Sequence, residues 1–320
     1  MTPRTVLVTA PSRLHFGMFS FGQPDTRQFG GIGAMIDKPG LRLRISPAER
    51  WEVVGPIADR VQGFVRGVSS RLIQEELPPL RFEVLQSPHD HLGLGVGTQL
   101  GLSLAAGLNA LFARPPLDAD ALALLAGRGE RSAIGTHGFV HGGFLVDAGK
   151  REGELLSPLV ARVALPEAWR FVLAIPRVER GRHGVDERQA FRELPPVPCA
   201  ITKKLQEIVS HKLLPAVVER DCLEFSENLY RFGRLAGACF AGFQHGPFAT
   251  QRVHRLVDRI RELGISGVGQ SSWGPTIFAL TADETGAEKL VQSLQGLPEV
   301  EGSDLWIARP QNCGALIERE

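Results

Sequence analysis

His91-Leu-Gly-Leu-Gly-Val-Gly-Thr-Gln99 places glycines at 93, 95 and 97 and runs straight into an apolar, alanine-rich stretch that reaches Phe112. That stretch shows no strand alternation and stops at Arg114-Pro115-Pro116, which predicts a buried helix over Gln99–Phe112. Glycines let the backbone turn sharply and approach a ligand closely. The first amides of a helix lack intrahelical acceptors and the helix dipole is positive there, so such a turn suits phosphate. Gly93, Leu94, Gly95, Val96, Gly97, Thr98 and Gln99 are therefore candidate phosphate binders. The same turn can also serve a purely structural end. No Gly-Lys-Ser/Thr follows it, and neither the Rossmann spacing nor its acidic ribose binder is present.

Upstream, the chain reads mainly as strands. Thr5–Ala10 is a β-branched run stopped by Pro11, Leu41–Ile45 alternates with period two, and Trp51–Val54 and Arg81–Leu85 repeat that pattern. Downstream, Asp118 caps a helix through Ala126, and Gly142–Val146 follows a loop as a strand. Leu156–Glu167, punctuated by Pro158 and Pro166, reads as the link between domains at 1–160 and 161–320. The second half opens with a strand over Phe171–Ile175. Helices follow near Thr202–Val218, Cys222–Ala241 and Phe248–Leu263. Strands at Ile265–Val268 and Thr276–Leu280 flank a second glycine-rich turn, Gly269-Gln-Ser-Ser-Trp-Gly-Pro275. A helix over Asp283–Leu294 and strands at Asp304–Ala308 and Gly314–Glu318 end the chain. A strand-rich first half and a mixed second half predict an α+β fold.

The bulk properties agree with a two-domain globular protein. The 320 residues are about twice a usual domain. They are 43% hydrophobic and 22% charged, which excludes disordered, collagen-like and disulfide-stapled classes. A net charge of +1, with no basic run longer than Lys203-Lys204, argues against a nucleic-acid partner. Cys199, Cys222, Cys239 and Cys313 have no zinc-finger spacing and read as reduced. No apolar run reaches the ~18 residues of a membrane span and the N-terminus lacks a signal core, so a cytoplasmic protein without a membrane partner is expected.

Two further elements carry polar groups. In the late turn, Ser271 and Ser272 can bond phosphates or merely tie the turn, with Gly269, Gln270 and Trp273 beside them. In Pro11-Ser-Arg-Leu-His-Phe-Gly17, Arg13 and His15 share one face of an extended segment. A glycine/serine loop in each half suggests a cleft between the domains.

These three elements, in this order, resemble the GHMP kinase superfamily, with its PxxxGLGSG loop matched by Pro88-His-Asp-His-Leu-Gly-Leu-Gly-Val-Gly. Within it the chain is similar to the β-ribofuranosylaminobenzene 5′-phosphate synthase (β-RFAP synthase) family. The strings that match are SRLHFG (Ser12–Gly17), RQFGGIGAMID (Arg27–Asp37), GLGVGTQL (Gly93–Leu100), GRGERSAIGTHGFVHGGFLVD (Gly127–Asp147) and GQSSWGPT (Gly269–Thr276). The resemblance implies a ribosomal-S5-like N-terminal domain and a ferredoxin-like C-terminal domain. It also implies condensation of phosphoribosyl pyrophosphate (PRPP) with 4-aminobenzoate or 4-hydroxybenzoate, with loss of CO2 and pyrophosphate, towards methanopterin-type carriers. Mg2+ is expected with the phosphorylated substrate, no bound organic cofactor is expected, and a homodimer is the family expectation. An ATP-dependent small-molecule kinase and a non-catalytic sugar-phosphate or nucleotide-binding protein are the competing readings. Against a kinase, the first motif has Arg13 where a lysine is common, and Arg131–Gly138 has no carboxylate to activate a hydroxyl.

The chemistry that the resemblance implies assigns roles. Arg13 or Arg27 could hold the benzoate carboxylate bidentately, and Ser132 and His137 could meet polar groups of ribose or ring. Asp37 and Asp147 could carry Mg2+ or cap turns. Arg177-Val-Glu-Arg-Gly-Arg-His-Gly184 could meet a sugar phosphate or be a solvated loop.

Overall fold

The computed structural model describes residues 5–23, 25–72, 77–177, 191–244 and 246–320. The first half is a seven-stranded sheet. Long strands β1 (Val6–Met18) and β2 (Gly31–Pro47) pair antiparallel at its centre. Strands β3 (Glu52–Val54) and β4 (Leu80–Gln86) extend it beyond β2, while β5 (Phe144–Asp147) pairs with the other end of β2 and β6 (Leu159–Val163) pairs with β5. Pro11 does not stop the first strand as expected. It sits where the register slips between Ala10 and Ser12, a break at which a residue without an N–H costs no ladder bond.

Helices α1 (Ala58–Leu72), α2 (Val96–Leu111) and α3 (Ala119–Ala126) cover this sheet. Helix α2 is apolar nearly all round and is accordingly buried on most of its surface. Asp118 caps α3 as expected, accepting from the Ala121 N–H at 2.8 Å. Two helices were not anticipated. Helix α1 buries Val61, Val65 and Val68 in a region read as strands, and α4 (Ile134–His141) occupies what was read as a loop.

The second sheet has strands β7 (Arg170–Pro176), β8 (Gly267–Gln270), β9 (Ile277–Thr281) and β10 (Ser303–Ala308) in the order β10-β7-β9-β8. This is the ferredoxin-like arrangement. Between β7 and β8 lie α5 (Cys199–Ile208), a π-turn at Val209–Leu213, α6 (Leu214–Glu219), α7 (Cys222–Ala238) and α8 (Gln251–Glu262). Helix α9 (Glu284–Leu294) joins β9 to β10.

The halves are not separated by a linker. The expected boundary at 160/161 falls inside β6, and the closing strand β11 (Leu316–Arg319) returns to pair with β1 in the first sheet. One hydrophobic cluster joins Leu14, Phe16, Ile32 and Phe144 of the first sheet to Phe171, Phe225 and Phe278 of the second half. That shared core includes Leu92, Leu94 and Val96 from the first glycine loop and Phe278 from the strand after the second.

Candidate functional site: a glycine loop ringed by arginines

The two glycine loops and β1 meet backbone to backbone. Arg13 N–H donates to the Leu94 carbonyl at 3.0 Å, and Ser272 N–H donates to the His15 carbonyl at 2.9 Å. Ser271 Oγ donates to the Gly93 carbonyl at 2.7 Å and accepts from the His15 N–H at 3.1 Å. Gly274 lies so close to Leu92 and Gly93 that a side-chain carbon there would collide with their backbone. Gly95 adopts φ +75° and forms the N-cap of α2.

In front of this junction lies a polar cleft of about 460 Å3, a usual size for a small-molecule site. The loop from His91 to Thr98 forms one wall; Arg128 to Ser132 forms the other. Arg13, Arg60, Arg128 and Arg131 all line it. Burial, then the charge of Arg60, pushes the Arg128 pKa down to about 10. Glu130 is a lining carboxylate, exposed at the rim.

Behind the cleft runs a chain of polar groups. His15 Nε2 is 3.1 Å from Ser132 Oγ, and Ser132 Oγ donates to Asp147 Oδ2 at 3.0 Å. Ser132 has a single proton, so His15 Nε2 carries a hydrogen and donates it to the hydroxyl. Burial, then the Arg13 charge, holds the His15 pKa well below the usual histidine value. Asp147 also accepts from Ser157 Oγ and from the Gly31, Ala133 and Gly149 amides, although burial pushes its pKa up. The depressed pKa makes the fold acid-sensitive. The unfolded chain takes up the His15 proton near pH 6.5, the folded chain only lower, so stability is full above that value and falls below it. His15→Gln is expected to flatten urea-midpoint dependence between pH 7.5 and 5.5, where one such group costs up to about 1.4 kcal/mol per pH unit. Equal slopes in both proteins would disprove this assignment.

A family model described as GHMP kinases C terminal matches residues 213–298. β-Ribofuranosylphenol 5′-phosphate synthase of Methanothermobacter thermautotrophicus is 28% identical over 301 residues, 88% of this chain and 90% of that protein. The Archaeoglobus fulgidus protein of the same name is 29% identical over 288 residues, 86% and 88% of the two chains. The fold matches a putative homoserine kinase from Listeria monocytogenes (TM-score 0.68, 17% identity, 98% and 100% coverage). It also matches Streptococcus pneumoniae phosphomevalonate kinase (TM-score 0.69, 13% identity, 99% and 100% coverage). The chain has the GHMP kinase fold.

In this GHMP-fold protein the expected residues divide. Arg13, His15, Ser132, Ser272 and the loop from Gly93 to Thr98 face the cleft. Gln99 does not line it; its side-chain amide donates to the Gly135 carbonyl at 2.9 Å and ties α2 to α4. Ser271 is consumed in the loop junction. Gln270 braces the late turn, accepting from Ala249 N–H at 2.9 Å and donating to Ser272 carbonyl at 3.1 Å. Gly269, Gln270 and Trp273 line a separate, smaller apolar pocket of about 50 Å3, which shares His15, Met18 and Ser272 with the polar cleft.

Arg27 and His137 are not among the cleft residues. The Arg27 fork is occupied by Glu154, at 2.7 and 3.0 Å, and by the Gly149 carbonyl at 2.8 Å. The bidentate anion clamp expected there closes on a carboxylate of the chain itself. Arg27→Ala and Glu154→Ala are therefore expected to lower the melting temperature slightly and equally, with no further loss in the double mutant. Turnover lost in Arg27→Ala but intact in Glu154→Ala would return Arg27 to the substrate. His137 Nε2 lies 2.8 Å from the Ser157 carbonyl, buried. Asp147 is a hydrogen-bond hub and Asp37 accepts from the Arg309 N–H at 2.7 Å. Among the described residues no group of three or more His, Cys, Asp or Glu could hold a metal ion. Of the basic segment 177–184, residues 178–184 lie outside the described residues, and Arg177 pairs with Asp304.

Arg60, Arg128, Glu130 and Thr136 are polar cleft residues that received no role from the sequence, the last three although they lie in the matching string Gly127–Asp147. Arg128 has a signal in retrospect, standing between Gly127 and Gly129. Arg60 has none, since it lies on a helix read as strand. No described helix is long and apolar enough to cross a membrane.

Proposed function

We propose that this chain is a decarboxylating pentosyltransferase that joins C1 of the ribose of PRPP to the ring carbon of 4-hydroxybenzoate or 4-aminobenzoate that bears the carboxylate. The new carbon–carbon bond replaces the bond from C1 to pyrophosphate, and the ring then releases CO2, whose bonding electrons restore aromaticity. The similarity to two synthases along nearly nine-tenths of this chain carries the reading. Their name refers to a phenol, so 4-hydroxybenzoate is the first acceptor to test.

The cleft supports this choice. Departure of pyrophosphate places negative charge on the leaving group, and arginines together with helix amides stabilise it without reorganisation. Four arginines line the cleft at the α2 N-terminus. Ring attack leaves no ring proton to remove, so a strong base is not required. Consistent with that, His15 is neutral with its Nε2 hydrogen committed to Ser132, and the Asp147 carboxylate is engaged with five donors.

The described residues do not form a Mg2+ cage. Mg2+ enters the reading with the phosphates of PRPP. The deciding experiment incubates the protein with PRPP, Mg2+ and carboxyl-labelled 4-hydroxybenzoate and follows released label. Label release with pyrophosphate formation is the expected result. ATP consumption with an alcohol and no label release would establish the kinase instead.

A further inference from the structure

Gly17, Gly233, Gly237 and Gly269 line the small apolar pocket beside the polar cleft. A side-chain carbon on Gly17 would stand 2.7 Å from Ala236 Cβ, one on Gly237 would strike the Pro247 carbonyl, and one on Gly269 would stand 2.8 Å from the Phe278 ring. Packing therefore requires glycine at three of the positions. Gly233 is different. It lies inside helix α7, where glycine is the most destabilising residue after proline. A carbon built on it meets only the Phe16 carbonyl, 3.9 Å away. What Gly233 preserves is open space over the helix, on the face it shares with Ala236 and Gly237.

Aromatic rings braced by one another bound that space. Trp273 meets Phe240 edge-on with centroids 4.8 Å apart, and Phe278 meets Phe16 at 4.9 Å. A volume of about 50 Å3 is far below the ~300–1,000 Å3 of a whole small-molecule site, so the pocket takes part of a ligand. His15, Met18 and Ser272 line both the pocket and the polar cleft, so the rest of that ligand lies in the cleft. Gln244 lines the pocket but not the cleft. Its Nε2 donates to the Gly237 and Gly246 carbonyls at 3.1 and 3.0 Å, which uses both hydrogens and fixes the orientation of the amide. Among the described residues none donates to its Oε1.

We infer that this pocket is the acceptor subsite: the ring of a para-substituted benzoate lies over Gly233, with its carboxylate end at the cleft and its para hydroxyl donating to Gln244 Oε1. The inference rests on the pentosyltransferase reading for the identity of the ring. That chemistry also sets the orientation. The carbon that bears the carboxylate must face ribose C1, and the para group then points away from the cleft. A hydroxyl that donates to an amide oxygen keeps its own lone pairs for the ring, so the contact favours attack as well as binding. A para amine can donate in the same way.

The test is calorimetry with 4-hydroxybenzoate and with benzoate, and turnover with PRPP and Mg2+, on wild type, Gly233→Ala, Gly233→Leu and Gln244→Leu. Gly233→Leu fills the space. It is expected to weaken 4-hydroxybenzoate binding and raise its KM at least tenfold, with the KM for PRPP within twofold of wild type. Gly233→Ala should fall between. Both should melt no lower than wild type, because each replaces a glycine inside a helix and extends into open space; lost binding is then not lost fold. Wild type should bind 4-hydroxybenzoate about two- to tenfold more tightly than benzoate, the range of one neutral hydrogen bond, and Gln244→Leu should bind the two equally. Unchanged affinity in folded Gly233→Leu, or no binding of 4-hydroxybenzoate to wild type, would overturn the subsite. A wild-type preference that survives in Gln244→Leu would remove Gln244 from it. The turnover assay keeps the two claims apart. Label release with an unchanged acceptor KM in Gly233→Leu would sink the subsite and leave the synthase reading standing. Binding lost in Gly233→Leu, with no label released by wild type, would sink the synthase reading and leave a site for an aromatic acid.

Discussion

Gly95→Val is expected to weaken pyrophosphate binding at least a hundredfold while the chain stays folded. Gly95 holds φ +75°, a left-handed conformation that costs an ordinary L-residue about 1–2 kcal/mol and a β-branched one more. A side-chain carbon there would also stand 3.2 Å from Arg13 Nε and 3.3 Å from Arg13 Cβ, so the valine methyls must displace that arginine. The mutation thus bends the amide cradle and removes a cation together, and a hundredfold loss corresponds to about 2.8 kcal/mol. Gly95→Ala should give an intermediate loss. The damage stays local because the groups in the way belong to the side chain of Arg13. At Gly274 the groups in the way are the backbone of Leu92 and Gly93, and substitution there should part the two loops instead. Unchanged pyrophosphate affinity in folded Gly95→Val would remove this loop from the site.

Benzoate without a para donor should bind yet show no detectable turnover, whereas 4-hydroxybenzoate and 4-aminobenzoate should both react. The para oxygen or nitrogen feeds electron density to the carbon that attacks ribose C1, and no side chain of the cleft can replace that contribution. The histidines supply the complementary arm. His15→Ala and His137→Ala should retain measurable activity, because general-base help, where it operates, is worth about 10²–10⁴-fold. His15 donates its Nε2 hydrogen to Ser132, and His137 is turned away onto the Ser157 carbonyl. Product formation from PRPP with the three acids, on wild type and both variants, is the measurement. Benzoate reacting as fast as the donors would sink ring attack; complete loss in His137→Ala with binding intact would reinstate acid–base chemistry.

Much of the architecture was legible because it is written in local backbone preferences. The glycine turn opening α2, the Asp118 cap, and the strand-turn-strand around Ser271 each depend on neighbouring residues alone. Helix α1 escaped notice because Val61, Val65 and Val68 are β-branched and interrupted by Gly63 and Gly67, which mask a real helical spacing. Helix α4 escaped because its glycines read as loop, and six of its eight residues are buried, leaving no polar face to set the period.

By itself, then, the sequence determined the α+β class, the order of most elements, and three polar motifs whose succession resembles that of the GHMP kinases. Periodicity, capping and turn chemistry act over a few residues and survive in any chain that carries them. Only the tertiary structure decided which charges meet. Arg27 could have reached a substrate carboxylate, but Glu154 closes on it from 127 residues away. Arg60, Gly97 and Arg128 come from three separate elements and share one point only because α1, α2 and α3 pack on one face of the sheet. The choice of partner for a long charged side chain depends on the few ångströms set by that packing, and no local pattern of residues encodes it.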